Sequence, residues 1–353
     1  MERGRYEPLV VLPDRGELGA DLRAAGVEVI VAPVSVIRRG LVNPRGLASL
    51  ASAASHDAVE LRRLIRTRGI ALVHSNTSVV LGGAIAAALA RVPHVWHVRE
   101  IYSRFGRTWP VYRRLLGSAS ALPCVSRATA AQFPACDRVR VIRDGLAVDR
   151  APVARAQARR VLGLDPDIPA IAVLGRVSDW KGQDVLVRAL AHELLHDRGT
   201  IGLIAGDPWP GAQDRLASVL ALAAELGVGD RLRLLGFRAD VETVYGAADI
   251  VAVPSSAPDP LPNAAIEAAA AGCTVLASAH GGLPEIIRDG HTGRLVTPGD
   301  AGALAQAARE LLDDPGQRAR LGTAATLDVH ERFSASRLLT LIQALYDSIL
   351  DAA

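Results

Sequence analysis

Arg176 and Lys181 bracket four residues in the run Gly175-Arg176-Val177-Ser178-Asp179-Trp180-Lys181-Gly182. The run follows an apolar stretch, Ala170–Leu174, and opens a helical pattern at Gln183. Two cations beside a helix N-terminus suit a diphosphate, because charges and free amides there both favour anions. A surface loop with two solvated charges fits the same spacing. A second run, Pro254 to Gly272, holds Asp259 in a loop stiffened by Pro258, Pro260 and Pro262. Glu267 follows one to two turns inside the next helical stretch. Carboxylates accept hydrogen bonds from hydroxyls, so sugar and ribose are natural partners. A helix cap at Asn263 and a structurally paired Glu267 account for the same residues. The third run is His280-Gly281-Gly282-Leu283-Pro284-Glu285. Its glycines let backbone come close to a ligand, and Pro284 and Glu285 suit a helix start. A tight turn serving no ligand is the plainer reading of this run alone.

His192-Glu193-Leu194-Leu195-His196 matches the zinc-peptidase signature, with two histidines four apart sharing a helical face. Against that, Asp184, Arg188, His192 and His196 form one polar stripe opposite Leu186, Leu190 and Leu194. That is the pattern of a surface helix covering a sheet. No third ligand stands near, so a zinc peptidase is the remote alternative. No G-x-G-x-x-G follows a strand and opens a helix, which weakens a nicotinamide-binding reading.

These runs need elements to hold them. Short apolar runs read as strands at Leu9–Leu12, Val27–Val31, Ile70–His74, His94–Val98, Ala121–Val125 and Val139–Ile142. A second set follows at Ala170–Leu174, Ile201–Ala205, Leu232–Leu235, Ile250–Pro254, Thr274–Ala277 and Arg294–Val296. Helical stretches, such as Arg45–Thr67 and Val79–Arg91, separate them. The alternation predicts βαβ units and parallel sheets covered on both faces. A polar, Arg- and Ala-rich stretch at 149–167 separates the two sets. The expectation is an α/β protein of two doubly wound domains, 1–150 and 151–330, with an amphipathic helix over 331–353 packing back across their junction. Ligands of such sheets bind outside the carboxyl ends of the strands, so the cleft between the domains is the expected site.

The 353 residues suit two domains. Half are hydrophobic and 22% charged, as in ordinary soluble proteins. A net charge of +3 does not call for nucleic acid, which needs a basic face. Basic residues do cluster locally, at Arg38–Arg39, at Arg62, Arg63, Arg66 and Arg68, and at Arg104, Arg107, Arg113 and Arg114. Three cysteines without a CxxC pair fit a reducing cytoplasm rather than a disulfide framework. No apolar run reaches the ~18–20 residues of a membrane span. The Ala-rich run 82–90 reads as a buried helix. Tyr102, Phe105, Trp109, Tyr112 and Leu115 lie among four of those arginines. Such a stretch could touch an anionic bilayer at the inner membrane face, or be an ordinary solvated helix.

Taken in order, Gly-Arg-x4-Lys-Gly, Pro-Ser, Asp-x7-Glu, Ala-x-Gly and Gly-Gly-x-Pro-Glu resemble the retaining glycosyltransferases of family 4. The resemblance spans roughly Ile171 to Val296 and implies the GT-B fold, two Rossmann-like domains facing across a cleft. It implies that Arg176 and Lys181 hold the diphosphate of a UDP- or GDP-sugar, and that Asp259 meets the hydroxyls of the transferred sugar. Glu267 would hold the ribose, Phe237 would flank the base, and amides around Leu261, Pro262 and Asn263 would meet the distal phosphate and sugar. The family has Glu where Asp259 stands, one methylene longer. In the first half, His97 or Arg99 would lie near the reacting carbon, His97 being the nominated residue. Asp144-Gly145 resembles the family's Asn-Gly turn entering the linker. The first strand resembles the family's second, so the resemblance implies that the family's opening strand and Gly-rich loop are absent here, either because the protein is natively more compact or because the chain lacks its true N-terminus.

The implied reaction moves the sugar to an acceptor hydroxyl on a glycan, a lipid-linked or a small molecule, with retention. Two cations and helix dipoles could take the place of a metal ion, and no cofactor is called for. A GT-B protein that binds a nucleotide sugar without turnover is the alternative.

Overall fold

The computed structural model describes residues 4–37, 44–102, 105–146 and 151–352. Arg38, Arg39, Arg104 and the first residues of the 149–167 stretch lie outside the described residues. The chain divides into two compact units, Met1–Ile142 with Leu338–Ala353, and Arg143–Arg337.

The first unit runs β1 (Leu9–Leu12), α1 (Glu17–Ala24), β2 (Glu28–Val31), α2 (Pro44–Thr67), β3 (Val73–Ser75), α3 (Gly82–Ala90), β4 (His94–Trp96), α4 (Trp109–Leu116), β5 (Leu122–Cys124), α5 (Arg127–Ala130) and β6 (Val139–Val141). Strands pair in parallel as β1–β2, β3–β4 and β5–β6. Single bridges from Val95 to Ala121 and from Val98 to Cys124 join β4 to β5. The last helix of the chain, α15 (Ala335–Leu350), is the C-terminal partner of this unit. It buries Ile342 and Leu345 against Val95, Ala121 and Ile142.

The second unit runs α6 (Arg155–Val161), β7 (Ala170–Leu174), α7 (Gln183–Ala191), α8 (Glu193–His196), β8 (Ile201–Ala205), α9 (Gln213–Glu225), β9 (Leu232–Gly236), α10 (Val241–Ala247), β10 (Ile250–Val253), α11 (Asn263–Ala270), β11 (Val275–Ser278), α12 (Leu283–Ile286), β12 (Arg294–Val296), α13 (Ala301–Asp313) and α14 (Pro315–Arg332). Its six strands form one parallel sheet in the order β12-β11-β10-β7-β8-β9. Every residue of β7, β8 and β10 is buried, as a strand covered by helices on both faces must be. The edge strands β9 and β12 carry Arg233 and Arg294, charges that blunt edge-to-edge pairing. Counted from β7, the order is the Rossmann order 3-2-1-4-5-6, and it reverses between β7 and β10. Ligands of such sheets bind at that reversal.

Among the described residues, no helix is long and apolar enough to cross a membrane. The aromatic stretch near α4 packs inward. Tyr102 and Tyr112 are buried, and Phe105 and Trp109 pack against them: Tyr102 stacks on Trp109 with ring centroids 4.6 Å apart, and Phe105 on Tyr112 at 5.4 Å. Tyr102 and Tyr112 thus belong to a core, with Phe105 and Trp109 half-buried over them. Pro110, Val111, Arg114 and Leu115 are what α4 exposes.

Candidate nucleotide-sugar site

The loops after β7 and β10, on either side of the strand-order reversal, carry Arg176, Lys181 and Asp259. Gly182 joins them. Its φ of +79° is a left-handed conformation, and a Cβ there would lie 1.9 Å from the carbonyl oxygen of Pro254. Only glycine satisfies both conditions. The Ser256 amide also donates to the Trp180 carbonyl at 2.9 Å. With the two loops in contact, Lys181 Nζ reaches Asp259 Oδ2 at 2.6 Å. The two residues expected to hold diphosphate and sugar are therefore ion-paired to each other. Asp259 is buried and Lys181 is partly open to solvent.

Arg176 is held from the other side. The β7 and β8 loops run together, with Val177 N donating to the Asp207 carbonyl and Gly206 too close to Gly175 to bear a Cβ. That places the Arg176 guanidinium over the Trp209 indole, 3.4 Å from its centroid. Partial burial lowers the Arg176 pKa, which leaves it a cation at any ordinary pH. Trp209 was not foreseen from the sequence, although a lone Trp between Pro208 and Pro210 just past a strand is a usable signal. Phe237 follows Gly236, the last residue of β9, and is exposed.

The paired glycines pack against the Asp259 loop, as the plainer tight-turn reading requires. A Cβ on Gly281, whose φ is +59°, would lie 2.3 Å from the Asp259 carbonyl oxygen, and one on Gly282 would lie 2.2 Å from that of Pro260. Gly282 N donates to the Asp259 carbonyl at 2.8 Å. The close approach these glycines permit is to the Asp259–Pro260 backbone, so they support the carboxylate. Glu285, in the first turn of α12, pairs with Arg143 at 2.7 Å. Gly145, of the expected turn Asp144-Gly145, packs against the backbone of Ser334 and Ala335, and Leu146 N donates to the Phe333 carbonyl.

The capping role considered for Asn263 is absent. Pro262 is the N-cap of α11 and no side chain caps the helix. Leu261 and Pro262 are buried, and Asn263 is exposed at the helix start. Glu267 accepts a hydrogen bond from the Tyr245 hydroxyl at 3.1 Å. Five buried polar atoms lack a partner in or beside the three motif runs: Ser178 Oγ, Gln183 Oε1, Ser255 Oγ and both ring nitrogens of His280. Buried polar atoms are normally paired, so a concentration of unpaired ones marks a place for a polar ligand or water.

His97 lies in the first unit, buried just past β4. Burial first, then His74 and Arg99, push its pKa down to about 3, so its ring is neutral. One ring nitrogen bonds the backbone of Ile142, while Nε2 is buried without a partner. The ring thus presents a free acceptor.

The His192/His196 pair is not on one helix. α7 ends at Ala191, and His192 is extended (φ −65°, ψ 137°) before α8 begins. Its Nδ1 accepts from Leu194 N, which starts the new turn. The kink also shifts the apolar stripe, so Leu195 rather than Leu194 joins Leu186 and Leu190 in the core. The signature therefore lacks the helical geometry its chemistry requires. Among the described residues, no group of three or more His, Cys, Asp or Glu is placed to hold a metal ion.

A Rossmann-type sheet with paired charges at its reversal is the arrangement in which doubly wound α/β proteins bind their ligands. The family model described as glycosyl transferases group 1 matches residues 154–328, and that of glycosyltransferase family 4 matches residues 1–150. The chain belongs to glycosyltransferase family 4, whose fold is GT-B. It is 41% identical over 191 residues to a D-inositol 3-phosphate glycosyltransferase of Nocardia farcinica, a match covering 53% of this chain and 42% of that protein. The chain thus spans less than half the length of that relative. The crystal structure of Anabaena Alr3699/HepE in complex with UDP and glucose superposes with a TM-score of 0.80 at 26% identity, covering 97% of this chain and 91% of that one. Sucrose-phosphate synthase from Thermosynechococcus elongatus shares the fold with a TM-score of 0.78 at 24% identity, covering 99% and 100%.

Proposed function

We propose that the protein transfers a sugar from a UDP-sugar to an acceptor hydroxyl with retention of anomeric configuration. The observation that carries this reading is the Lys181–Asp259 pair at the β7/β10 reversal, with Arg176 alongside on Trp209. UDP is favoured as the nucleotide because Anabaena HepE is described with UDP and glucose. As the bond from the anomeric carbon to the diphosphate oxygen breaks, negative charge grows on the leaving diphosphate. Arg176 and Lys181 are the cations that would stabilise it. The acceptor oxygen bonds to the same face of the anomeric carbon, and its proton passes to the departing diphosphate. Asp259 would accept from sugar hydroxyls and Glu267 from the ribose, while the first-turn amides of α11 meet the distal phosphate. Phe237, exposed beside β9, is the residue offered to the base. The unpaired Nε2 supports choosing His97 over Arg99 as the first unit's candidate residue for the reaction.

A thermal-shift series with UDP, GDP and ADP, followed by product analysis with the UDP-sugar, tests this. A ligand at about 100 times its Kd adds about 2.7 kcal/mol to stability. UDP should raise Tm, and Lys181→Met should abolish the rise. No shift with any nucleotide overturns the reading; a shift without transfer or donor hydrolysis reduces it to a binding protein.

A further inference from the structure

Glu267 is the carboxylate that the proposed function gives to the ribose, and this inference rests on that reading. A glutamate's last torsion is soft: the carboxylate rotates over a broad range about its terminal bond. Ribose offers two adjacent hydroxyls, and accepting both at once needs the two carboxylate oxygens held in one plane. Free rotation would cost that alignment. Glu267 stands on the second turn of α11 and is partly open to solvent, so packing does not fix its end.

One contact does. Tyr245, on α10, is buried, and its hydroxyl donates to Glu267 Oε2 at 3.1 Å. Burial, then the charge of Glu267, hold the phenol well above its ordinary pKa. The phenol therefore keeps its proton and can only donate to an ionised carboxylate. Its side chain is buried and has only two torsions, so the donor has little freedom to move. A carboxylate has about four acceptor positions, and one bond from Tyr245 leaves the others available. The geometry points to Tyr245 as a positioning residue that fixes the rotation of Glu267 for recognition of the ribose hydroxyls. Nothing in the motif order marks Tyr245, which lies outside all three runs.

The test compares binding of UDP with binding of dideoxy-UDP, which lacks both ribose hydroxyls, by calorimetry on the full chain. The wild-type protein should prefer UDP, and Glu267→Ala should erase the preference. Tyr245→Phe removes one oxygen and should reduce the preference about tenfold, the weight of one hydrogen bond to a charged group. Affinity for dideoxy-UDP should be nearly unchanged by it, which a general loosening of the fold would not allow. The double variant Tyr245→Phe/Glu267→Ala should add nothing to Glu267→Ala alone. A full preference retained in Tyr245→Phe, with Glu267→Ala having lost it, overturns the positioning role and leaves the ribose reading standing. Equal binding of the two nucleotides by the wild-type protein, or no binding of UDP, overturns the ribose reading itself and the inference with it.

Discussion

Replacing Lys181 by Met keeps the length of the side chain and removes its charge. Asp259 would then be buried without its partner, since the ion pair is 2.6 Å long and only 6% of the Asp259 side chain is exposed. Breaking a buried pair from one side typically costs 3–5 kcal/mol. The Lys181 side chain is 22% exposed, and water can reach part of the gap, so a value at or just below that range, about 2–3 kcal/mol, applies. For a unit of this size each kcal/mol moves Tm by roughly 2–4 °C, giving a fall of about 4–12 °C. Asp259→Asn in the same background removes the stranded charge and should restore most of that loss. Turnover should behave otherwise. If Lys181 stabilises the leaving diphosphate, its loss costs on the order of 100- to 1000-fold in kcat, as removing one charge-stabilising group does elsewhere. The double variant should stay that slow although it is stable again. Calorimetric melting and a donor-turnover assay on the wild-type protein and the two variants give both quantities. An unchanged Tm in Lys181→Met refutes the strength assigned to the pair. Recovery of turnover in the double variant refutes the diphosphate role, because the two charges would then serve only each other.

His94 and His97 are buried and, chiefly through burial, have pKa values pushed down to about 4 and about 3 from 6.5. The unfolded chain takes up protons below about pH 6.5 that the folded chain refuses, so stability falls as pH drops from there towards 4. Between pH 7 and pH 5 each should cost about 2 kcal/mol, and His97→Asn should flatten the slope of Tm against pH. Arg159, 1% exposed, donates to Asp249 Oδ2 at 2.8 Å and to the carbonyls of Asp165, Ile168 and Ala247. Arg159→Met should lower stability by about 3–5 kcal/mol in a denaturant titration. UDP affinity below the melt should be unchanged, because this network sits at the amino end of β7, away from the motif loops.

The strands were the most legible part of the fold. Leu9–Leu12, Ala170–Leu174, Ile201–Ala205 and Arg294–Val296 run between the residues expected, because each is a short apolar run closed off by Pro, Gly or polar residues. Strand order was not legible: spacing says that strands alternate with helices but not which strands pair. The stripe through Asp184, Arg188, His192 and His196 misled for a related reason. A period of four holds only while the helix continues, and His192 ends it by taking an extended conformation that a sequence of good helix formers does not advertise. Lys181–Asp259 and Tyr245–Glu267 are pairs 78 and 22 residues apart, set by where loops and helices meet in space. Types and spacing supplied the candidates, and only the packing showed which of them touch.

The glycines explain how that packing comes about. Read from sequence, Gly182, Gly281 and Gly282 sit beside charged residues and invite a ligand-contact reading. In the fold each presses on backbone, at Pro254, Asp259 and Pro260 respectively, at distances no side chain tolerates. The loops after β7, β10 and β11 are thereby clamped to one another at the carboxyl edge of the sheet, next to the point where strand order reverses. Lys181 hangs from the first loop and Asp259 from the second, and the third holds Asp259 from behind through Gly282 N. Substituting any of these glycines would displace a charge without touching it. The dependence of the site on this motif set thus has two physical sources. Cations and carboxylates are the groups to which the proposed function gives the chemistry, and residues without side chains bring three loops close enough for those groups to meet.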